Sequence, residues 1–537
     1  MQLSRIVLLC WLTGQAACAT EPDDPVDPGA VAGAPAQVAA ATPAVAPAVA
    51  SGVHFASTIT PWRDHAFVAG WDGVHHRIAY NARGADGGFD VYWSDEAGTT
   101  SQCVTCTLPG PAAAHRGASD VYPGGDYVLA TIEKPSHSGA IGSAAAEPGR
   151  GVWNDLYLVA GDGSQAFQLT DIPNDANHGI IWARFNRTGT QVVWSQMYQP
   201  ANLFAPKQLA GVWQLKLADL TWTGGVPQLA NIQTYEPETG NFYEPYGFSP
   251  DGGSILFAST LGMPGLGDSQ LYRVSVAGGA FTGLTRLTEQ VDGGPGWSNY
   301  NEFAFYLPDG QHIVYGRIRE ATSGGLDWWV MRADGTGRER LTYLNEPWHA
   351  QARGYAVVGG WAIDPANPDR VMFSICTALT CSEGTGLTMT LSSLPAGAGT
   401  GLTGAYYDDR SFSQLAFTRV DPGVGFNWAD NPDPRMPIDN FAIRWTGSLK
   451  ARVTGWHQMC VYSDDGARLT LGGWQIVNAW HDQAATQNCG WAWLDATVTN
   501  PLQLDYYDAW GTGATVKLSW TGPDGVQELV PVGQLAP

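Results

Sequence analysis

The sequence predicts an all-β protein whose larger part is a six-bladed β-propeller, and three observations support this. Gly occurs 66 times and Trp 23 times, against 17 Phe, which is a turn-rich and aromatic composition unlike that of a helical bundle. Hydrophobic residues make up 44% of the 537-residue chain and charged residues 15%, so it can bury a large core and is not generally disordered. A unit of short strands and tight polar turns recurs over residues 53–397.

Each repeating unit has a tight polar turn followed by a strand rich in β-branched and aromatic residues. The turns are Asp72-Gly73, Gly124-Gly125, Thr188-Gly189, Asp251-Gly252, Asp309-Gly310 and a looser Asn367-Pro368-Asp369. A long fixed period with four short strands per unit is typical of propellers, in which neighbouring blades bury each other's faces. Six turns predict six blades, and the segment 53–70 leaves room for a seventh.

The sequence motifs of these repeats resemble those of a known family. Phe248-Ser249-Pro250-Asp251-Gly252, Leu307-Pro308-Asp309-Gly310 and the Arg-Leu-Thr unit ends at 286–288 and 340–342 resemble the TolB-like (WD40-like) β-propeller repeat over residues 53–397. The resemblance implies the fold but little about function, because this family includes scaffolds, peptidase-associated propellers and lyases.

The segment 400–537 has a different character. Gly401–Tyr407, Phe426–Trp428, Phe441–Gly447 and Ser463–Leu469 follow one another in an order that closely resembles the PA-14 (protective-antigen) domain. The resemblance implies a β-sandwich and spans nearly the whole segment.

Asp464 and Asp465 are the main candidate site in this second domain. Two adjacent carboxylates at a strand end supply hard oxygen ligands, which suit calcium. In carbohydrate-binding members of the family, an equivalent pair holds a calcium ion that ligates sugar hydroxyls, with further ligands from a variable loop. That loop would be 508–513 here, which adds Asp508 as a metal ligand. The alternative is that Asp464 and Asp465 only shape the turn before Gly466.

Tryptophans could complete a sugar site. Trp480 and Trp510 are the predicted carbohydrate-binding aromatics, because an indole offers a flat apolar face with a donor at its edge. Most tryptophans at strand spacing belong to a core, and Trp445 and Trp520 are expected there.

The propeller provides a second candidate site at His115, His178, Glu244 and Glu302. Each precedes the first turn of its unit, which would place it near the start of an inner strand, at the mouth of the central channel. Imidazoles and carboxylates there could bind a transition metal or perform acid–base chemistry on an acidic sugar. The alternative is that they line a water-filled channel.

The N-terminus predicts export. Residues 1–19 read as a signal peptide, cleaved after Ala19 or lipidated at Cys18, and residues 20–51 read as an Ala/Pro-rich flexible tether. No later stretch is long and apolar enough for a transmembrane span. The remaining cysteines are expected to form disulfides, with zinc as the alternative for the first pair. The predicted pairs are Cys103–Cys106, Cys376–Cys381 and Cys460–Cys489.

The charge and motifs limit the function classes. A formal net charge of −22 argues against nucleic acid and anionic membranes as partners. The sequence favours a secreted or lipid-anchored, non-catalytic carbohydrate-binding protein, whose propeller is a platform for envelope or extracellular partners. A polysaccharide lyase or glycoside hydrolase with its site in the propeller channel is one alternative. A structural envelope scaffold with protein partners only is the other.

Overall fold

The computed structural model describes residues 53–537, except 111–112, 136–142, 203, 266–267, 277–279, 289–299, 319–324, 378–383, 396, 429–430 and 512. The predicted signal peptide, the lipidation of Cys18, the tether and Cys381 lie outside the described residues. Strands dominate the described part, and its short 3₁₀ turns include Ser143–Ala146, Pro206–Gln208 and Val532–Gln534. None of its helices has the length and apolar character needed to cross a membrane.

The first part of the described chain forms six four-stranded antiparallel sheets. In chain order its strands are β1 Val53–Asp64; β2 Phe67–Asp72, β3 Arg77–Arg83, β4 Phe89–Asp95 and β5 Gln102–Cys103; β6 Arg116–Val121, β7 Tyr127–Glu133, β8 Asn154–Ala160 and β9 Ala166–Gln168; β10 Gly179–Phe185, β11 Gln191–Gln199, β12 Val212–Thr223 and β13 Val226–Tyr235; β14 Tyr243–Phe248, β15 Ser254–Ser259, β16 Gln270–Ser275 and β17 Thr282–Arg286; β18 Asn301–Tyr306, β19 His312–Arg317, β20 Asp327–Arg332 and β21 Glu339–Arg340; and β22 Val357–Ile363, β23 Arg370–Cys376 and β24 Thr385–Pro395. The predicted all-β propeller fold is confirmed.

The ring is closed by strand β1. It pairs along its length with β24, so the last sheet has the order β1-β24-β23-β22. The segment from residue 53 therefore completes the sixth sheet, and the possible seventh blade does not form there. Closure of this kind ties the two ends of the repeat together, since strands from both ends share one sheet.

The predicted polar turns connect the first two strands of their sheets. Gly252 and Gly310 have φ of +74° and +65°, a conformation that residues with a Cβ rarely adopt. In the same two turns, Asp251 accepts a hydrogen bond from the Gly253 amide and Asp309 accepts one from the Gln311 amide. The Asp-Gly pair thus determines the turn through local hydrogen bonds, so the repeat can be recognised from the sequence alone.

The second part of the chain is a β-sandwich. Its strands are β25 Leu402–Tyr407, β26 Leu415–Asp421, β27 Gly425–Trp428, β28 Phe441–Lys450, β29 Gly455–Asp464, β30 Ala467–Leu471, β31 Trp474–Ala479, β32 Thr486–Leu494, β33 Thr499–Asp508, β34 Ala514–Thr521, β35 Gln527–Leu529 and β36 Leu535–Ala536. One sheet has the order β26-β25-β28-β33-β30-β31, with β36 beside β28. The other has the order β27-β34-β29-β32, with β35 beside β34. Trp445 and Trp520 lie in the core between the sheets, as predicted.

Disulfides join Cys103 to Cys106 and Cys460 to Cys489. The second links directly opposed positions of β29 and β32. Two of the three predicted pairs are thus present, and they fit an oxidising compartment. The sulfurs of Cys103 and Cys106 are bonded to each other, which argues against the zinc alternative.

A buried ion cluster joins the two parts of the chain. Lys517 of β34 donates to Glu346 of the propeller at 2.6 Å, and Arg340 also donates to Glu346. Burial alone would raise the pKa of Glu346, but the charges of Arg340 and Lys517 lower it to about 2. On the same interface His54 of β1 contacts Glu528 at 2.7 Å.

Candidate functional site

Three carboxylates come together at one end of the sandwich. Asp464 is the last residue of β29 and Asp508 the last residue of β33, and these strands belong to opposite sheets. Asp465 follows Asp464 across a cis peptide bond. Asp465 and Asp508 are buried, whereas Asp464 is partly exposed. The sandwich thus gathers carboxylates that lie more than forty positions apart in the sequence.

Asp465 fixes the loops around this cluster. Its carboxylate accepts hydrogen bonds from the backbone amides of Gln483 at 3.0 Å and Ala509 at 2.7 Å. The Tyr506 hydroxyl donates to the backbone carbonyl of Asp464. Asp465 therefore positions the residues on both sides of the cluster, which is more than the turn-shaping role given by the alternative interpretation.

The cluster concentrates negative charge. Burial, followed by the charges of Asp465, Asp439 and Asp464, raises the pKa of Asp508 to about 7. Burial and the charge of Asp465 also raise the pKa of Asp464. The positive charge of Arg410 opposes the shift of the Asp508 pKa, but its effect is smaller than those of burial and of the neighbouring carboxylates. Such a site gains free energy from binding a proton or a cation.

The donor set suits a hard cation, but it is not closed around one point. Among the described residues, the only group of three or more His, Cys, Asp or Glu with ligand atoms within 4.8 Å of one another is Asp90 with the disulfide-bonded Cys103 and Cys106. Ligation of a single calcium by Asp464, Asp465 and Asp508 therefore requires their side chains to draw together or a backbone carbonyl to replace one of them.

The two predicted sugar-binding tryptophans have different environments. Trp510 lies two residues after Asp508, and 73% of its surface is exposed. The ring of Trp480 stacks on Phe412 with centroids 6.0 Å apart, and the Arg468 guanidinium lies 4.2 Å from its centre. Trp510 therefore presents a free indole face beside the carboxylates, whereas Trp480 is held by its neighbours.

Asp439 is a member of the cluster that the sequence analysis missed. It precedes β28, and the pairing of Phe441 with Asp508 brings it close to the site. The order of strands in the sheet would have been needed to find it, because no local motif marks it.

In the propeller, two of the four predicted channel residues form a pair. Glu244 of β14 and Glu302 of β18 are buried, and each carboxyl accepts a hydrogen bond from a tyrosine, Tyr246 and Tyr300 respectively. Burial raises the pKa of both carboxyls, and the charge of Glu244 adds to the shift of Glu302. Glu302 Oε1 has no hydrogen-bond partner among the described residues.

The two histidines do not join them. His115 is buried, its ring lies 5.8 Å from Phe89 of the adjacent sheet, and the Phe89 amide donates to its Nδ1. His178 contacts Asp175 at 2.7 Å. Among the described residues these four side chains form no group with metal-ligand spacing. His115 thus packs on Phe89 of the adjacent sheet and His178 is paired within its own loop, and a role for the two histidines at the channel mouth stays a prediction.

An aromatic layer divides the central channel. Trp182 and Trp361 stack with centroids 6.1 Å apart, and Phe303 contacts Trp182 edge-on at 5.8 Å. One cavity lies near the start of the inner strands with Trp182 and Phe303 in its wall, and another lies near their ends with Arg184 and Trp361 in its wall.

Comparisons with known proteins identify the second domain. Residues 399–534 match the PA14 domain family, which confirms the domain predicted from the sequence. The anti-sigma-I factor RsgI3 of Acetivibrio thermocellus is 32% identical over 142 residues, which are 26% of this chain and 22% of that protein. The chain thus spans about a fifth of the length of this curated relative.

Two solved structures are more distant. TolB from Acinetobacter baumannii is 15% identical with a TM-score of 0.36, and the similarity covers 59% of this chain and 64% of that one. A PA14 sugar-binding domain from an RTX adhesin is 18% identical with a TM-score of 0.22, over 25% of this chain and 97% of that one. At these scores neither similarity carries a conclusion about function.

Proposed function

We propose that this chain is an exported carbohydrate-binding protein whose PA14 domain binds glycan through a calcium ion held by Asp464, Asp465 and Asp508. The observation that supports the proposal is the under-compensated carboxylate cluster beside an exposed Trp510, in a domain that matches the PA14 family. Oxygen ligands with a high charge density are those that calcium prefers.

Each residue has a separate role in the proposed site. Asp464 and Asp508 supply negative charge that a divalent cation neutralises, and Asp465 holds the backbone of both adjoining loops in place. A bound calcium ion would offer coordination positions to sugar hydroxyls. Trp510 supplies an apolar face for the C–H surface of the sugar ring.

The propeller serves in this proposal as a rigid platform for an envelope or extracellular partner. The buried contacts of Glu346 with Lys517 and of His54 with Glu528 hold the PA14 domain in a fixed orientation on it. Export by the signal peptide, with or without a lipid on Cys18, would place both domains outside the cytoplasm.

A second candidate function rests on Glu244 and Glu302. Two buried carboxyls with raised pKa values are the chemistry that glycoside hydrolases use, and the predicted alternative of a lyase or hydrolase would use this pair as acid and base. The pair is sealed by Tyr246 and Tyr300 and does not line either described channel cavity, which favours the binding function.

A glycan array with the full chain, in calcium and then in EDTA, tests the proposal. We expect binding in calcium that EDTA removes and that Asp464→Asn abolishes. Asp495→Asn is the matched control, because this carboxylate follows β32, outside the cluster, and holds a turn through Thr497 and Thr454. If no glycan shows binding that both EDTA and Asp464→Asn remove, the calcium site is overturned, and binding to no glycan at all would favour the structural scaffold.

A further inference from the structure

Three exposed tryptophans lie on the outer face of the five-stranded sheet. Trp456 of β29 and Trp491 and Trp493 of β32 have 56%, 60% and 58% of their surfaces exposed. Trp456 is directly opposite Trp493, and their ring centroids are 5.7 Å apart. Trp491 follows on the same face, since side chains alternate along a strand. We call these three residues the tryptophan platform.

The platform is not part of the hydrophobic core. The alternating residues Ala492 and Leu494 supply the core side of β32. The outward positions of an antiparallel sheet are ordinarily polar, and a contiguous exposed apolar patch in a soluble protein marks an interaction site. Tryptophan at three adjoining outward positions therefore indicates that another molecule covers this face.

The surroundings of the platform indicate the chemistry of that molecule. The outward positions of β29 and β32 beside it carry uncharged hydrogen-bonding side chains, among them Gln458, opposite Trp491, and Gln487. On the neighbouring strand Thr521 is opposite Gln458. Indole faces bordered by amides and a hydroxyl complement a pyranose, which has an apolar C–H face and a rim of hydroxyl groups.

The charge of the protein argues against other molecules that could cover the tryptophan platform. The net charge of −22 opposes the docking of a second copy and of an anionic membrane, which would need flanking lysines and arginines. The same net charge repels an anionic polysaccharide. A neutral polysaccharide is not subject to this repulsion.

The platform is distinct from the carboxylate cluster. Trp491, the platform residue nearest to the cluster along the sheet, is opposite Gln458, six positions before Asp464 on β29, so the two sites are separated by about 20 Å at the usual rise of about 3.3 Å per residue. One glycan unit cannot contact both, and ligand binding at the platform needs no calcium.

We propose that the tryptophan platform is a second, calcium-independent binding site for a neutral polysaccharide chain, which lies across Trp456, Trp493 and Trp491 with its sugar rings stacked on the indoles. The site goes beyond the proposed calcium-dependent function and does not depend on it.

Co-sedimentation of the full chain with insoluble cellulose, chitin and xylan, all in EDTA, tests this site. We expect retention on at least one of these polysaccharides, weakened about tenfold or more in Trp491→Ala/Trp493→Ala. Trp491→Phe/Trp493→Phe, which keeps an aromatic face, should recover part of it. Asp464→Asn should bind as the wild type does, and Trp222→Ala, a partly exposed tryptophan of the propeller, is the matched control.

The proposal is overturned if none of the three polysaccharides retains the wild type, or if the double alanine variant is retained equally well. Sedimentation velocity on the same proteins identifies self-association, and dimers that only the wild type forms would assign the platform to a second copy and also overturn the proposal. Because EDTA is present throughout, failure of this site is distinguishable from failure of the calcium site.

Discussion

The protein has two clusters in which carboxyl groups lie close to one another, one in the propeller and one in the PA14 domain, and the surroundings of the two clusters differ. Glu244 and Glu302 of the propeller are sealed in the interior, each with a tyrosine donor. Asp464 and Asp508 of the PA14 domain lie at the end of the sandwich, where Asp464 and Trp510 reach solvent. In both clusters burial raises the carboxyl pKa values, with the charge of a neighbouring carboxylate adding to the shift of Glu302, Asp464 and Asp508.

The difference lies in what can relieve the repulsion between the carboxylates. A proton can remain on the sealed Glu pair, whereas the Asp cluster, which reaches solvent at Asp464, is also accessible to a hydrated cation. Glu346 is stabilised in a third way. The positive charges of Arg340 and Lys517 beside it lower the pKa of its carboxyl to about 2. The same residue chemistry thus indicates a structural role in one place and a binding role in another.

The largest expected effect is on the sealed pair. A carboxyl whose pKa is raised by folding contributes its full stability below the unfolded pKa, near 4.5, and loses it as pH rises toward the folded value. Glu302→Gln should therefore stabilise the propeller relative to the wild type by about 3 kcal/mol at pH 9, with little difference at pH 4. Calorimetric unfolding from pH 4 to 9 measures this, and a difference independent of pH would contradict the interpretation that a proton remains on the buried pair.

The cation-compensated carboxylate should respond in the opposite way. Lys517→Met leaves the buried Glu346 with Arg340 as its cation and the Trp348 indole as its other donor, and we expect a loss of about 2 kcal/mol of unfolding free energy at pH 7. The loss should not diminish from pH 5 to 8, because the wild-type pKa of Glu346 lies far below that range and removal of the Lys517 charge raises it. Lys216→Met, at an exposed hydrogen bond to Thr234, is the control and should change little.

The open cluster should bind calcium in competition with protons. Because the pKa of Asp508 is about 7 without metal, calcium affinity should rise with pH through this value. Asp508→Asn removes one charged ligand and should lower the affinity about 100-fold, as measured by isothermal titration calorimetry. Equal affinities for wild type and variant would exclude Asp508 as a ligand.

The smallest effect concerns Trp510. Trp510→Ala should weaken binding of the best glycan from the array about tenfold, because one stacking face is lost. Calcium affinity should not change, since the indole supplies no metal ligand. A parallel fall in both affinities would indicate that the loop itself has been disturbed.

The fold was predictable from the sequence because its signals are local. An Asp-Gly turn fixes the backbone through hydrogen bonds within a few residues, so repeated turns reveal the blades. Asp464 and Asp465 were recognisable for the same reason, since they are adjacent within a motif. The closing role of β1 could not be read in this way, because its partner β24 is more than three hundred residues away.

The sites were only partly predictable, because function depends on which side chains meet. The sequence singled out Asp464, Asp465 and Asp508 as candidate ligands, and only strand pairing brings Asp439 close to them. Four polar residues at similar positions in the repeat looked equivalent, yet packing joined Glu244 and Glu302 and placed His115 against Phe89. The sequence by itself determined the residue types and the turns that form each strand. The tertiary structure decided direction, burial and distance, because these depend on contacts between strands that are remote in the chain.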